Sequence, residues 1–220
     1  MRLASKPTKG RTLDYAAPVY DLLEPLCLLS RQAEYDAAVF SALNPQPADR
    51  ILDLGCGTGA QTQQVSLVLD PQLGGAITGI DAAGAMITAA REKRGSDRCF
   101  FEVMAAEKLD FPDRSFDAVM SSLFFHHIPL DLKRASLSEA YRVLKPGGTL
   151  VVADMDRPTT FLGGLVSHAS RWLFFQPQIA ENIRGVLPEL MSEAGFTQPE
   201  RLQHFFGYIT VFRCHKEEAR

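Results

Sequence analysis

The segment ILDLGCGTGA, residues 51–60, places three glycines at alternate positions directly behind a short apolar run. Glycine loses more backbone entropy on folding than any other residue, so this spacing indicates a backbone that turns sharply or is approached closely. An apolar run followed by glycines and a helix-forming stretch predicts a buried strand, a tight turn and a helix. The segment therefore predicts a ligand site at the start of that helix.

Short apolar runs alternate with helical patterns over most of the chain. The predicted strands cover residues 51–54, 76–81, 99–104, 116–123 and 149–155, and the predicted helices follow Gly59 and cover 83–93 and 132–144, with a turn at 145–148. Continuously apolar strands that alternate with helices are typical of a parallel sheet covered on both faces. Ligands of such sheets bind beyond the carboxyl ends of the strands, which is where the glycines lie.

The N-terminal part of the chain differs from this alternation. Residues 1–12 are polar and basic and predict a mobile tail. A helical pattern, interrupted by two prolines, then runs from 13 to 43 and stops at Asn44-Pro45-Gln46-Pro47. We therefore expect a helical cap at 1–44, followed by a ligand-binding domain at 45–220.

The pattern changes again after Asp156. Residues 161–175 are strongly apolar, and 178–194 predict a helix that ends at Gly195. Residues 199–214 predict two strands around Gly207, a hairpin at the edge of the sheet. The region 158–195 is expected to be a variable insert on the substrate side.

Composition and charge exclude several classes of protein. The net charge is −3 and the sequence pI about 6.0, so no nucleic-acid partner is expected. The four cysteines have neither CxxC nor metal-ligand spacing, which predicts no metal and reduced thiols in the cytoplasm. The sequence predicts neither a signal peptide nor a transmembrane helix, and it is compatible with a transient contact with a membrane surface.

Two cofactors fit glycines between a first strand and a first helix, and Asp53 distinguishes them. A dinucleotide would place its pyrophosphate at the helix N-terminus, where a neighbouring carboxylate is repulsive. S-adenosylmethionine carries an ammonium and a sulfonium and has no phosphate, so an acid beside the glycines favours it. Asp81, about 20 residues further on and at a strand end, is placed to accept hydrogen bonds from ribose hydroxyls of either cofactor.

Five motifs in order carry a resemblance to a known family. They are LDLGCGTG (52–59), AEKLDFPDRSFDAV (106–119), SLFFHHIP (122–129), LKPGG (144–148) and LMSEAGF (190–196). The chain resembles class I S-adenosylmethionine-dependent methyltransferases, and most of all the branch of quinone-biosynthesis C-methyltransferases and phospholipid N-methyltransferases. The resemblance implies a Rossmann-like α/β fold with a seven-stranded, mostly parallel sheet, helices on both faces and a C-terminal antiparallel hairpin.

The resemblance also implies a set of cofactor-binding residues. They are Asp53, Gly55, Gly57, Thr58, Gly59, Asp81, Ala82, Met86, Ala106, Glu107, Ser122 and Leu123. The expected cofactor is S-adenosyl-L-methionine, with S-adenosyl-L-homocysteine as the product. One position departs from the family, because Ala105 stands where an acid usually meets the adenine amino group.

The need for a general base depends on the methyl acceptor. A neutral amine needs none, whereas a phenol or carbon acid must lose a proton, which a histidine near neutral pKa can take. His126 is the candidate base, and Tyr15, Tyr20, His127 and Trp172 are candidate substrate contacts. The two histidines can equally serve only to shape the pocket.

The sequence thus predicts an enzyme, monomeric or homodimeric, that methylates a small apolar or amphipathic acceptor such as a quinone precursor or a phospholipid. Two alternatives stay open at this point. One is a cofactor-binding regulator or scaffold without catalysis, and the other is an NAD-dependent oxidoreductase.

Overall fold

One sheet of seven strands organises the chain. The computed structural model describes residues 3–10, 12–15, 17, 31–173 and 177–218, with only the backbone of 171–173. The strands are β1 (Arg50–Leu54), β2 (Ala76–Asp81), β3 (Cys99–Val103), β4 (Phe116–Ser122), β5 (Leu144–Met155), β6 (Glu200–Phe205) and β7 (Ile209–His215). Their order is β3-β2-β1-β4-β5-β7-β6, with β1 to β5 parallel and β7 antiparallel to both β5 and β6. The predicted fold class is confirmed.

Helices cover both faces of the sheet. They are α1 (Gln32–Leu43), α2 (Ala60–Ser66), α3 (Gly84–Arg94), α4 (Leu130–Val143), α5 (Phe161–Leu173), α6 (Ile179–Ile183) and α7 (Leu187–Glu193), with 3-10 turns at Pro71–Leu73 and Phe125–His127. Alternate residues of β5 point into two separate apolar cores, Leu150 and Val152 into one, and Val151 and Ala153 into the other. Burial on both faces explains why the central strands are continuously apolar in sequence.

The predicted turn at 145–148 lies inside a strand. β5 begins at Leu144, and its pairing with β4 jumps from Phe116–Leu144 to Ala118–Thr149. The intervening Lys-Pro-Gly-Gly segment therefore bulges out of the ladder, which is where a strand tolerates proline and glycine. The turn residues were identified correctly, but the strand extends through them.

The predicted single helix at 178–194 is wrong, because two short helices occupy this region. α6 ends at Ile183, and Gly185 adopts a φ of +77° that no helix accommodates. α7 then begins at Leu187, with Pro188 in its first turn, where its missing N–H costs no hydrogen bond. Gly195, at a φ of +102°, follows the second helix as expected.

The predicted mobile tail is instead bound to the domain at residues 3–10. The backbone N–H of Lys6 donates to the carbonyl of Ala82 at 2.9 Å. Ser5 Oγ accepts the N–H of Gly84 at 2.9 Å, and Asp14 Oδ1 accepts the N–H of Ala85 at 2.9 Å. α3 has no capping side chain of its own, so these distant residues satisfy its first free N–H groups.

The predictions of a helical cap and of no membrane-spanning helix concern different parts of the chain. Of the helical pattern predicted from 13 to 43, the described residues contain α1, and the stretch around Pro18 and Pro25 lies outside them. A division at residue 44 stays a prediction. In the part of the chain that the structure describes, no helix is long and apolar enough to cross a membrane.

Candidate functional site

A narrow cavity lies beyond the carboxyl ends of β1 and β2. Eight residues predicted to bind a cofactor line it: Gly55, Gly57, Asp81, Ala82, Met86, Ala106, Glu107 and Leu123. Residues of the bound N-terminal segment, Thr8 and Gly10, form part of its wall, and about 50 Å³ remains free. The N-terminal segment covers this side of the cavity and leaves little free volume. We call this space the first cavity.

Asp81 is one of two acids that line the first cavity. Its carboxylate accepts the backbone N–H of Gly57 at 3.1 Å and that of Ala83 at 2.8 Å. Burial raises the pKa of Asp81 to about 6, because desolvation outweighs these two hydrogen bonds. The acid thus holds the glycine turn in place and still presents carboxylate oxygens to the cavity.

The glycines of the turn are required by more than a ligand. Gly55, Gly57 and Gly59 have φ values of +74°, +55° and +83°. A Cβ on Gly55 would lie 2.3 Å from the Phe124 ring, and one on Gly59 would lie 2.3 Å from the Phe101 ring. Close approach by the protein's own aromatic side chains therefore accounts for these two glycines, whereas Gly57 itself lines the first cavity.

A second, smaller cavity continues beyond β1 and β4. The predicted residues that line it are Asp53, Gly55, Thr58 and Ser122, and Gln61 joins them from α2. Asp53 is 3% exposed, and its Oδ2 accepts one hydrogen bond from Thr62 Oγ1 at 2.6 Å. Burial raises the pKa of Asp53 to about 7. A buried carboxylate with a single donor is suited to receive a cation.

The two cavities together hold the predicted cofactor set, apart from Gly59. None of the described lysines or arginines lines either cavity, and three carboxyl groups do: Asp53, Asp81 and Glu107. Such a lining repels a pyrophosphate and suits a cofactor that carries an ammonium and a sulfonium but no phosphate. The apolar wall from Met86 and Ala106 suits a nucleoside base. That each of these residues contacts a cofactor stays a prediction.

The wall near Ala105 contains a different acid. Glu107 lines the first cavity two positions later, and its Oε1 accepts a hydrogen bond from Thr8 Oγ1 at 2.6 Å. Position 105 is an alanine and supplies no carboxylate, but the carboxylate of Glu107 lies on the same wall of the cavity. One of the two Glu107 carboxylate oxygens is occupied by the hydrogen bond from Thr8.

The two adjacent histidines face different surroundings. His127 lines the first cavity, but His126 does not. Nδ1 of His126 lies 2.8 Å from Asp154 Oδ1, and the His126 side chain is 12% exposed. Because an ionised carboxylate only accepts, a neutral imidazole paired with it carries its proton on Nδ1 and its lone pair on Nε2.

Asp154, at the end of β5, is a site residue that sequence reasoning missed. Its Oδ2 accepts the N–H of Phe125 at 2.6 Å, and its Oδ1 accepts the N–H of Met155 at 2.7 Å. These backbone donors anchor a fully buried carboxylate against His126. The sequence contains a signal for Asp154, because an acid at the end of an apolar strand is the same pattern that identifies Asp81 as a candidate.

Tyr35 of α1 was also missed. Its hydroxyl lies 2.7 Å from Ser122 Oγ, and the tyrosine is 1% exposed. A tyrosine on a helical apolar stripe gives no sequence signal for such a contact, because the same residue type fills cores. The N-terminal helix thereby fixes the side chain that closes the second cavity beside β4.

The other three residues predicted to contact the substrate, Tyr15, Tyr20 and Trp172, are not found at the two cavities in the described part of the chain. Tyr15 is 68% exposed and lines neither cavity. Tyr20 and the side chain of Trp172 lie outside the described part of the chain. Among the described residues, no group of three or more His, Cys, Asp or Glu is arranged to hold a metal ion.

Comparison with known proteins agrees with this site. A family model described as a methyltransferase domain matches residues 52–152. A demethylmenaquinone methyltransferase of Thermus thermophilus is 36% identical over 204 residues, covering 82% of this chain and 89% of the relative. A ubiquinone/menaquinone biosynthesis C-methyltransferase of Geobacter sp. is 29% identical over 217 residues, covering 89% and 91%.

A solved structure shows the same fold. The phosphoethanolamine N-methyltransferase 2 of Haemonchus contortus, in complex with S-adenosyl-L-methionine, superposes with a TM-score of 0.65 at 18% identity. The match covers 84% of this chain and 53% of that protein, so this chain spans about half of its length. The similarity to the Thermus thermophilus enzyme and the match to the methyltransferase family model agree with the strand order and the glycine turn. The chain therefore belongs to the class I S-adenosylmethionine-dependent methyltransferases.

Proposed function

We propose that the enzyme methylates a ring carbon of a lipid-soluble hydroquinone, of the kind that a demethylmenaquinone methyltransferase uses. The observation that carries this proposal is the pair of His126, in the turn after β4, and Asp154, near the end of β5. Carbon methylation of a hydroquinone needs a base, whereas methylation of a neutral amine does not. The names of the relatives from Thermus thermophilus and Geobacter support the same acceptor class.

In this reaction, Asp154 and His126 would remove a proton from the acceptor before the methyl group is transferred. Bound S-adenosylmethionine supplies a methyl group on a sulfonium, which leaves as a neutral thioether. Asp154 holds Nδ1–H of His126, so that Nε2 takes the proton of the ring hydroxyl and leaves a phenolate. The neighbouring ring carbon forms the bond to the methyl carbon while the C–S electron pair stays on sulfur. The same ring carbon then loses its proton to solvent, which restores the aromatic ring, and the ring oxygen takes its proton back from Nε2 of His126.

A membrane surface is the proposed source of this acceptor. Phe161, Leu162 and Leu165 at the start of α5 are 91%, 66% and 57% exposed. The sequence from 157 to 180 contains no Asp or Glu but includes two arginines, so the segment suits an anionic lipid surface. Phe161→Ser with Leu165→Ser is expected to weaken sedimentation with vesicles containing phosphatidylglycerol, while folding and binding of S-adenosylhomocysteine are unchanged.

The experiment that tests the acceptor is transfer of labelled methyl from S-adenosylmethionine. The purified enzyme is given demethylmenaquinol in detergent or, separately, phosphatidylethanolamine vesicles, and the products are identified by mass spectrometry. Ring methylation of the quinol is the expected result. Methylated headgroups without ring methylation would replace the proposal by N-methylation.

His126→Ala supplies the mechanistic test. We expect kcat for the quinol to fall by about 10²-fold to 10⁴-fold, the range of general acid–base catalysis, with unchanged affinity for S-adenosylhomocysteine. His215→Ala is the control, because His215 on β7 pairs with Thr149 of β5, away from the end of β5 where Asp154 lies. Full activity of the His126 variant would reduce His126 to a residue that shapes the pocket. A cytoplasmic location and a monomeric or dimeric state stay predictions.

A further inference from the structure

Gln61, in the first turn of α2, carries a buried oxygen with no donor. Its side chain lines the second cavity together with Asp53 and Ser122. Its Nε2 donates to Asp36 Oδ1 at 3.1 Å. Its Oε1 is buried, and none of the described residues donates a hydrogen bond to it. A buried acceptor that is left unpaired costs stability, so such an oxygen is a signal for an absent partner.

Asp36 of α1 fixes the direction of the Gln61 amide. It is 8% exposed, and it also accepts Gln32 Nε2 at 2.9 Å and Gln64 Nε2 at 3.3 Å. Burial raises the pKa of Asp36, and the three amide donors oppose that shift. Because a carboxylate only accepts, Gln61 must turn its NH₂ group toward Asp36, and its other end is then an oxygen.

The rest of the second cavity indicates what the absent partner is. Asp53 contributes a buried carboxylate with one donor, and no described lysine or arginine lines the space. Two oxygen acceptors without a cationic side chain suit a small cation with several N–H groups. The α-ammonium group of S-adenosylmethionine has three N–H donors and belongs to the cofactor of this family.

We propose that Gln61 Oε1 accepts a hydrogen bond from the cofactor's α-ammonium group, beside Asp53, and that Asp36 is the positioning residue for this amide. The assignment depends on the cofactor alone and is independent of the hydroquinone acceptor. α1 then contributes to cofactor recognition through Asp36, in addition to the contact of its Tyr35 with Ser122.

The test compares two ligands by calorimetry. S-adenosylhomocysteine carries the ammonium group, whereas 5′-methylthioadenosine lacks the whole amino-acid end. In Gln61→Met, which keeps the length of the side chain and loses the carbonyl, we expect about tenfold or greater loss of affinity for S-adenosylhomocysteine. Affinity for 5′-methylthioadenosine should stay within about twofold, so the ratio of the two dissociation constants changes about tenfold.

Two further variants keep the outcome decisive. Gln63→Met changes an exposed glutamine of the same helix and should leave the ratio unchanged. Asp36→Asn allows the Gln61 amide to turn over, and we expect a smaller change of the ratio, about threefold. A ratio equal to that of the unmodified protein, in whichever of Gln61→Met and Asp36→Asn folds, would overturn the proposal, whatever the separate affinities do.

Discussion

Two buried carboxylates at strand ends, Asp53 of β1 and Asp154 of β5, serve different purposes. Asp53 has one hydrogen-bond donor, from Thr62, and burial raises its pKa to about 7. Asp154 accepts two backbone N–H groups and the ring N–H of His126. The difference teaches that an acid with few donors is left ready for a cationic ligand, whereas a saturated acid holds another side chain in place.

The same contrast divides the site into two halves. The half around β1 and β2 contains the glycine turn and the acids Asp53 and Asp81, which are predicted to bind the cofactor. The half around β4 and β5 contains His126, whose Nδ1 lies against the Asp154 carboxylate. Variants in the first half should change cofactor affinity, and variants of the His126–Asp154 pair should change turnover alone.

The largest expected effect is in the cofactor half. Gly57→Val forces a branched side chain onto a φ of +55° and into the first cavity, and it disturbs the N–H that Asp81 accepts. Binding of S-adenosylhomocysteine should become undetectable by calorimetry. Gly74→Val is the matched control, since Gly74 also has a positive φ, +86°, but a Cβ there meets nothing within 4 Å. If Gly57→Val and Gly74→Val lose binding of S-adenosylhomocysteine equally, the loss is due to unfolding and not to the cavity.

Asp154→Asn should have the next largest effect, and in the other half. The variant no longer holds the proton on Nδ1 of His126, so we expect kcat to fall by about 10²-fold or more. The pH profile of kcat should also change, while affinity for S-adenosylhomocysteine stays within about twofold. Loss of cofactor affinity in this variant would contradict the division into halves.

The pKa of Asp53 predicts a pH dependence of cofactor binding. Its folded pKa, about 7, lies above the ordinary value, so the free protein holds this proton up to near-neutral pH. The contribution of Asp53 to stability therefore falls as pH rises from about 4 to 7 in the free protein. A cationic ligand prefers the ionised form, so affinity for S-adenosylhomocysteine should rise about tenfold from pH 6 to pH 8. Asp53→Asn should abolish most of this rise, and a persistent rise would point to Asp81 instead.

The smallest predicted effect concerns the N-terminal segment. Thr8→Val removes the hydrogen bond to Glu107 that joins this segment to the wall of the first cavity. Dissociation of S-adenosylhomocysteine should accelerate by about threefold to tenfold in stopped-flow measurements. Lys9→Ala removes an ion pair with Asp131 that is exposed on both sides, and it should leave the rate unchanged. An unchanged rate in Thr8→Val would show that the segment opens independently of this contact.

The parts predicted well from sequence are those set by neighbours in the chain. The strands at 51–54 and 76–81 and the glycine turn followed from apolar runs, glycine spacing and alternation. The helix expected over 178–194 failed because one glycine, Gly185, reverses the backbone in the middle of an otherwise helical pattern. A glycine within a helical pattern does not reveal by itself whether its φ is positive.

The site was predicted less completely than the fold. The sequence named Asp53, Asp81 and the histidines as candidates, and it did not name Asp154, Tyr35 or Gln61. Each of the missed residues acts through a contact across a long stretch of chain, as Tyr35 does with Ser122, 87 positions away. Residue type alone does not predict such a contact, because it does not say which distant group the fold will place beside the side chain.

The sequence by itself determined the parallel sheet, the glycine turn and the presence of acids beside it, because periodicity and turn chemistry act over a few residues. Only the tertiary structure decided which histidine faces the first cavity and which one Asp154 holds. It also bound the N-terminal segment to α3 and turned the Gln61 amide toward Asp36. These choices depend on groups that the fold brings together from distant positions, where packing and hydrogen-bond partners, rather than local pattern, set the direction of each side chain.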